Sequence, residues 1–291
     1  MKSRFSHPTR ITFIASSDYP IIMAEETSTV DSRSHVAQIK INLRSWSFFD
    51  WLFLWGVIPA VLFVVYALPQ SIKNNFFILD TANLWGLQTY ILSAYTHSEL
   101  YWHLIGNVAF YFVTLFVIFA FENNKRRFRI MVMSSFLLVP IITAILTITF
   151  FRILGLTRTS QGFSAIDGAF LAYTIFITVI WIVQNAFEEF DHPELFAGKK
   201  IIYYACLVLL IIMLGLFVFE GITFGQFLNS GGQNTNGIAH FGGFITGLIT
   251  LLLFDIRTAK RKKFDMIWSL VTVIGIIWYV NYLINLSNFK G

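Results

Sequence analysis

Residues 159–170 read TSQGFSAIDGAF and stand between two long apolar runs. A serine is set two residues after a glycine and three before an aspartate, at the point where a hydrophobic helix would otherwise simply begin. How that serine is read depends on what kind of chain surrounds it.

The chain has 291 residues, 56% of them hydrophobic and 18% aromatic, with 13% charged. A soluble domain carries about 25% charged residues, so this composition points to a membrane protein. The 32 Phe and 8 Trp suit lipid-facing surfaces and interfacial belts. A spanning helix needs about 20 mostly apolar residues, and seven such runs are predicted near 50–68, 101–121, 130–151, 164–184, 201–219, 237–254 and 266–286. The expected fold class is therefore an all-α polytopic membrane protein. Residues 1–45 are polar and lack an apolar core of signal-peptide length, so a flexible cytosolic tail is expected there. The segment MAEETSTV from Met23 looks like an ordinary N-terminus, which makes Met23 an alternative start. With Cys206 as the single cysteine, no intramolecular disulfide can form.

Charge distribution sets the orientation. Of the 21 Lys and Arg, those in the tail, in ENNKRRFR after the second run, at Lys199 and Lys200 and in RTAKRKK after the sixth run all fall on one side. Only Lys73, Arg152, Arg158 and Lys290 fall on the other. Positive loops stay cytosolic, so the N-terminus is expected inside and the C-terminus outside, with the plasma membrane as the expected location. The second, fourth and sixth runs then all begin at the outer face.

Those three beginnings hold the polar residues. The second opens with THSELYWHLIGNV, giving His97, His103 and Asn107; the fourth with Ser164 and Asp167; the sixth with GIAHFGGFITG, giving His240. At about 1.5 Å rise per residue they share nearly one depth, and ionisable residues at such depth are read first as a functional site. A serine hydroxyl becomes a useful nucleophile when a base such as histidine takes its proton, and Ser164 with His240 supplies that pair. The oxyanion of a tetrahedral intermediate needs donors, and His103 and Asn107, four residues apart, share a helix face. Gly243 and Gly247 form G-x-x-x-G, which lets a neighbouring backbone approach, and Gly168 is the candidate partner on the fourth run. No cofactor or metal is called for, since no H-E-x-x-H, C-x-x-C or phosphate loop is present.

In these residues the chain resembles the rhomboid family of intramembrane serine proteases. The motifs are HLIGN in the second run, GFSA at the start of the fourth and AHFGGFITG in the sixth, in the family's order, across roughly residues 50–255. The resemblance implies a six-helix core with a seventh C-terminal helix, the 6+1 arrangement. The core would occupy 46–255, and the basic loop and last helix 256–291. It implies Ser164 as nucleophile, His240 as base, His103, Asn107 and the Ser164 backbone N–H as oxyanion donors, and Gly162 as the residue that keeps the preceding loop tight. Expected partners are the bilayer and transmembrane substrates, usually single-span, with no nucleic acid; nothing in the sequence bears on the oligomeric state. Two positions depart from the family pattern. Ala165 follows the serine where glycine is usual, and Gly168 stands where many members place a tyrosine against the catalytic histidine.

Other readings compete. S-A-I-D fits a capping box, in which Ser164 and Asp167 would only finish a helix end. His97 reads as an interfacial residue rather than a site member, and His7, His35 and His192 as surface residues. The alternative function is a catalytically silent rhomboid-like protein that binds membrane clients. A seven-helix transporter is a more distant alternative, and the missing G-x-S-x-G argues against an α/β-hydrolase.

Overall fold

Phe48–Ala67 (α2) begins where Ser47 and Asp50 close a reciprocal cap: the Ser47 hydroxyl accepts the Asp50 N–H at 3.1 Å, and the Asp50 carboxylate accepts the Ser47 N–H at 3.1 Å. It ends just before Pro69, whose ring disfavours a helical residue in front of it. The protein is seen in a computed structural model that describes residues 35–82, 86–98, 100–153, 159–191, 204–212 and 237–255, with a few isolated positions besides. The further elements are α1 (His35–Ser45), α3 (Gln70–Phe76), β1 (Leu79–Asp80), α4 (Thr89–Leu92) and α5 (100–121), followed by α6 (Lys125–Ile153), β2 (Thr159–Ser160), α7 (Ser164–Asp191), α8 (204–212) and α9 (Gly237–Asp255).

Among the described residues, four helices are long and apolar enough to cross a membrane: Phe48–Ala67, His103–Phe121, Lys125–Ile153 and Ser164–Val183. The protein is an all-α membrane protein by this measure, with α9 a shorter apolar helix. Helix α7 is its centre: 72% of its apolar stretch is buried inside the protein, against 28% for α2. Most of the seventh predicted run and much of the fifth lie outside the described residues.

Two prolines explain two distortions of these helices. In α2 the turn Leu52–Val57 is π-helical, and the Ile58 N–H bonds Phe53 O rather than Leu54 O. The next residue, Pro59, has no N–H, so the Leu54 carbonyl has no helix donor and the Tyr111 hydroxyl of α5 donates to it at 3.0 Å. In α6, Pro140 cannot bond Phe136 O four residues back, and the Tyr95 hydroxyl donates to that carbonyl at 2.9 Å. A free carbonyl in a bilayer costs several kcal/mol, on the order of an unmade hydrogen bond in hydrocarbon, so these hydroxyls hold the helices together. The Tyr95 bond also anchors the segment just ahead of α5.

Three boundaries differ from the sequence reading. Lys125–Arg129 belong to α6, not to a loop, because the Asn124 side chain accepts the Arg126 and Arg127 N–H groups and starts the helix there. Within the expected tail, residues 35–45 form α1. Its Asn42 side chain and the Trp46 indole that follows donate to Ala120 O and Phe119 O, both at 2.8 Å, capping open carbonyls at the end of α5. The connection between α2 and α5 carries short structure, of which β1 pairs antiparallel with β2 (Leu79 with Ser160, Asp80 with Thr159). That pairing pins the chain just ahead of Ser164.

Candidate active site

Helices α7 and α9 meet through their glycines. A Cβ at Gly168 would stand 2.6 Å from the His240 carbonyl oxygen, one at Gly243 would run into the Ala165 main chain, and one at Gly247 would stand 3.0 Å from Ala169 Cα. The spacing-based expectation of close packing here is met: Gly243 and Gly247 on α9 face Ala165 and Ala169 on α7, with Gly168 against His240. Ser164 and His240 consequently stand on facing first turns. A side chain at 168 has no room while the His240 main chain lies this close.

The approach to the serine is held by hydrogen bonds at successive residues. Gly162 has φ +130, a conformation only glycine adopts easily, and its N–H donates to Ser93 O at 2.9 Å. The Phe163 N–H donates to His97 Nε2 at 3.3 Å. The Asp167 N–H donates to Phe163 O at 3.1 Å and the Ile166 N–H to the same oxygen at 2.8 Å. Phe163 is thus the residue whose carbonyl receives the first helical bond, and Ser164 is the first residue inside the helix. The capping-box reading is off by one position: the Asp167 N–H goes to Phe163 O, and Ser164 does not occupy the cap. As the first helical residue, Ser164 also has a backbone N–H with no acceptor within the helix.

His103 lies over Gly162, where an added Cβ would come 2.6 Å from His103 Nε2, and its Nδ1 is 3.3 Å from Ser98 Oγ. Asn107 lies one helical turn further along, with Nδ2 3.1 Å from His97 Nε2. His97 sits between them, with its ring 4.9 Å from that of His103 at 76°. It is 1% exposed, which corrects its reading as an interfacial residue. Burial, followed by the charge of His103, pushes its pKa down to about 3. The signal for His97 was its place in THSELYWH, a polar stretch leading into the apolar run. Spacing alone could not distinguish a ring at the interface from one folded back onto the serine loop. Asp167 is buried, at 4% exposure, on the first turn of α7.

A cavity of about 20 Å³ opens among Gly162, Ala165, Ala239, Ser93, Thr143 and Thr147. That is room for one water with polar partners, beside the turn that carries Ser164. Comparison with protein families, with curated proteins and with solved structures gives no match for this chain.

Proposed function

We propose that this chain is an intramembrane serine endopeptidase of the rhomboid type that cuts transmembrane substrates near the outer membrane face. The observation that carries the reading is the glycine-mediated crossing of α7 and α9, which sets the Ser164 turn against the His240 turn. His103 against Gly162, and Asn107 joined through His97 to Phe163, support it. In this mechanism Ser164 Oγ attacks the scissile carbonyl carbon while His240 takes its proton. The oxyanion so formed receives the Ser164 N–H, the Asn107 amide and His103. Collapse breaks the C–N bond, and the imidazolium protonates the leaving amine. A water deprotonated by His240 then releases the acyl group and restores the serine. No cofactor enters the scheme.

Purified Ser164→Ala and His240→Ala proteins are each expected to lose cleavage of a model transmembrane substrate while melting like the wild type, because the pair acts as a unit. A fluorophosphonate is expected to label Ser164. Ser164→Ala activity within about tenfold of wild type overturns the assignment. A silent client-binding relative predicts instead a folded wild type that binds substrate without cleaving or labelling. The proposed orientation places the Glu122 end of α5 in the cytosol. An impermeant maleimide on intact cells should then label Leu87→Cys and spare Asn123→Cys in a Cys206→Ser background.

A further inference from the structure

We propose that His97 is a positioning residue of this site: one buried imidazole nitrogen holds both the side-chain amide of Asn107 and the peptide N–H of Phe163, fixing the oxyanion donor against the turn that carries Ser164. The inference rests on the reading of Ser164 as a nucleophile.

The chemistry of the two contacts sets the state of the ring. A peptide N–H can only donate, so the Phe163 bond requires a bare His97 Nε2 and places the ring proton on Nδ1. Facing a bare nitrogen, Asn107 must present its NH₂ and not its oxygen, which removes the usual ambiguity of an amide. One of the two amide hydrogens is then committed to His97 and the other remains for the substrate oxyanion. On the loop side, the Gly162 N–H is held by Ser93 O and the Phe163 N–H by His97, so the first uncommitted N–H is that of Ser164. His97 therefore sets both edges of the oxyanion pocket. The His103 ring packs edge-on against it and over Gly162, which brings the third donor under the same control.

The remaining side of the ring shows that position is favoured over local stability. His97 Nδ1 and the neighbouring Thr96 Oγ1 are buried with no hydrogen-bond partner among the described residues, and a buried polar group left unpaired is a cost to stability. Burial disfavours the protonated ring and two donors occupy its bare nitrogen, so His97 is a poor proton acceptor. What it offers is a fixed hydrogen-bond acceptor.

The test uses the full chain and a model transmembrane substrate. His97→Ala should lower kcat about 10²-fold with little change in KM, the scale of losing one oxyanion donor. The double variant His97→Ala with Asn107→Ala should fall short of the product of the two single losses by about tenfold or more, because His97 acts in part through Asn107. Glutamine can place its oxygen where Nε2 stands and asparagine cannot, so His97→Gln should recover most of kcat and His97→Asn should not. The two differ by one methylene, so this contrast also serves if His97→Ala does not fold. Independent losses that multiply to about 10⁴-fold in the double variant, or glutamine and asparagine behaving alike, overturn the positioning role. Run alongside, Ser164→Ala separates the two failures. A cleaving Ser164→Ala protein, or a wild type that never cleaves, overturns the protease reading and this inference with it. An inactive Ser164→Ala protein with multiplying His97 and Asn107 losses overturns this inference alone.

Discussion

The main chain of Ala165 occupies the place where a side chain on Gly243 would begin, so these two residues can face each other only while residue 243 is glycine. A Cβ at Gly243 would come 2.7 Å from the Ala165 carbonyl carbon and closer still to its oxygen. No rotamer change relieves a clash with backbone, so Gly243→Ala must push α9 away from α7. At Gly247 the added methyl meets Ala169 at 3.0 Å, a distance that a small shift relieves. Gly243→Ala is expected to cost more than the roughly 1–3 kcal/mol of ordinary overpacking and to remove activity, and Gly247→Ala to cost less. Thermal unfolding in detergent with cleavage assays would check this. The reverse ranking would show that α7 and α9 do not cross at Gly243.

Gly162 and Gly155 separate backbone strain from crowding. Both have positive φ, at +130 and +68, but an added Cβ at Gly155 meets nothing within 4 Å, whereas one at Gly162 meets His103 at 2.6 Å. Gly155→Ala should lose only the backbone part, about 1–2 kcal/mol, with normal kcat. Gly162→Ala should lose stability and, because His103 must move, kcat as well, by tenfold or more on the scale of a misplaced donor. Equal kcat in the two variants would mean that His103 has no part in the reaction.

Much of this arrangement was legible in the sequence because it follows from single-helix patterns. Five apolar runs became helices, and G-x-x-x-G named the face of α9 that meets α7. What was not legible depends on partners across the fold. The bonds from Tyr111 to Leu54 and from Tyr95 to Phe136 follow from Pro59 and Pro140, but the sequence does not say which hydroxyl will reach the freed carbonyl. The start of α7 shows how small the margin is. S-A-I-D satisfies a capping pattern, yet the helix begins one residue earlier because Phe163 O receives the first bond. The burial of His97 was missed for the same reason as the docking of α1. Both are set by what packs against them, Phe163 and Asn107 in one case and the open carbonyls of α5 in the other.

At the other end of α5, Glu122 is 1% exposed and accepts bonds from Arg127 Nε at 2.7 Å, Arg127 Nη2 at 2.8 Å and the Tyr173 hydroxyl. It thereby joins α5, α6 and α7. Tyr173→Phe removes one donor from a carboxylate that keeps its arginine, and should cost about 1–3 kcal/mol, the scale of a hydrogen bond to a charged group. Glu122→Ala strands a half-buried guanidinium and should cost about 3–5 kcal/mol. Neither group touches the serine loop, so kcat per folded molecule should hold in both variants. A kcat loss in Tyr173→Phe without a change in melting would show that this cluster acts on the site.

His97 also gives the folded state a pH dependence whose direction is fixed by its burial. It precedes the membrane-crossing part of α5, which begins at His103, and its pKa is lowered from an ordinary 6.5 to about 3. The unfolded chain binds a proton there below about pH 6.5 and the folded chain does not until about pH 3, so stability is complete above the first value and falls as the pH drops between them. At pH 5 the difference is about 1.5 pH units at 1.36 kcal/mol each, or roughly 2 kcal/mol. His97→Gln offers an acceptor at the same place with no proton to bind. Its melting temperature should therefore fall less between pH 7 and pH 5 than that of the wild type, even though it starts lower by the loss of ring packing. Parallel pH slopes in the two proteins would mean that the ring takes up a proton in the folded state. The Phe163 N–H would then have lost its acceptor, and the bond between the serine loop and α5 would be made another way.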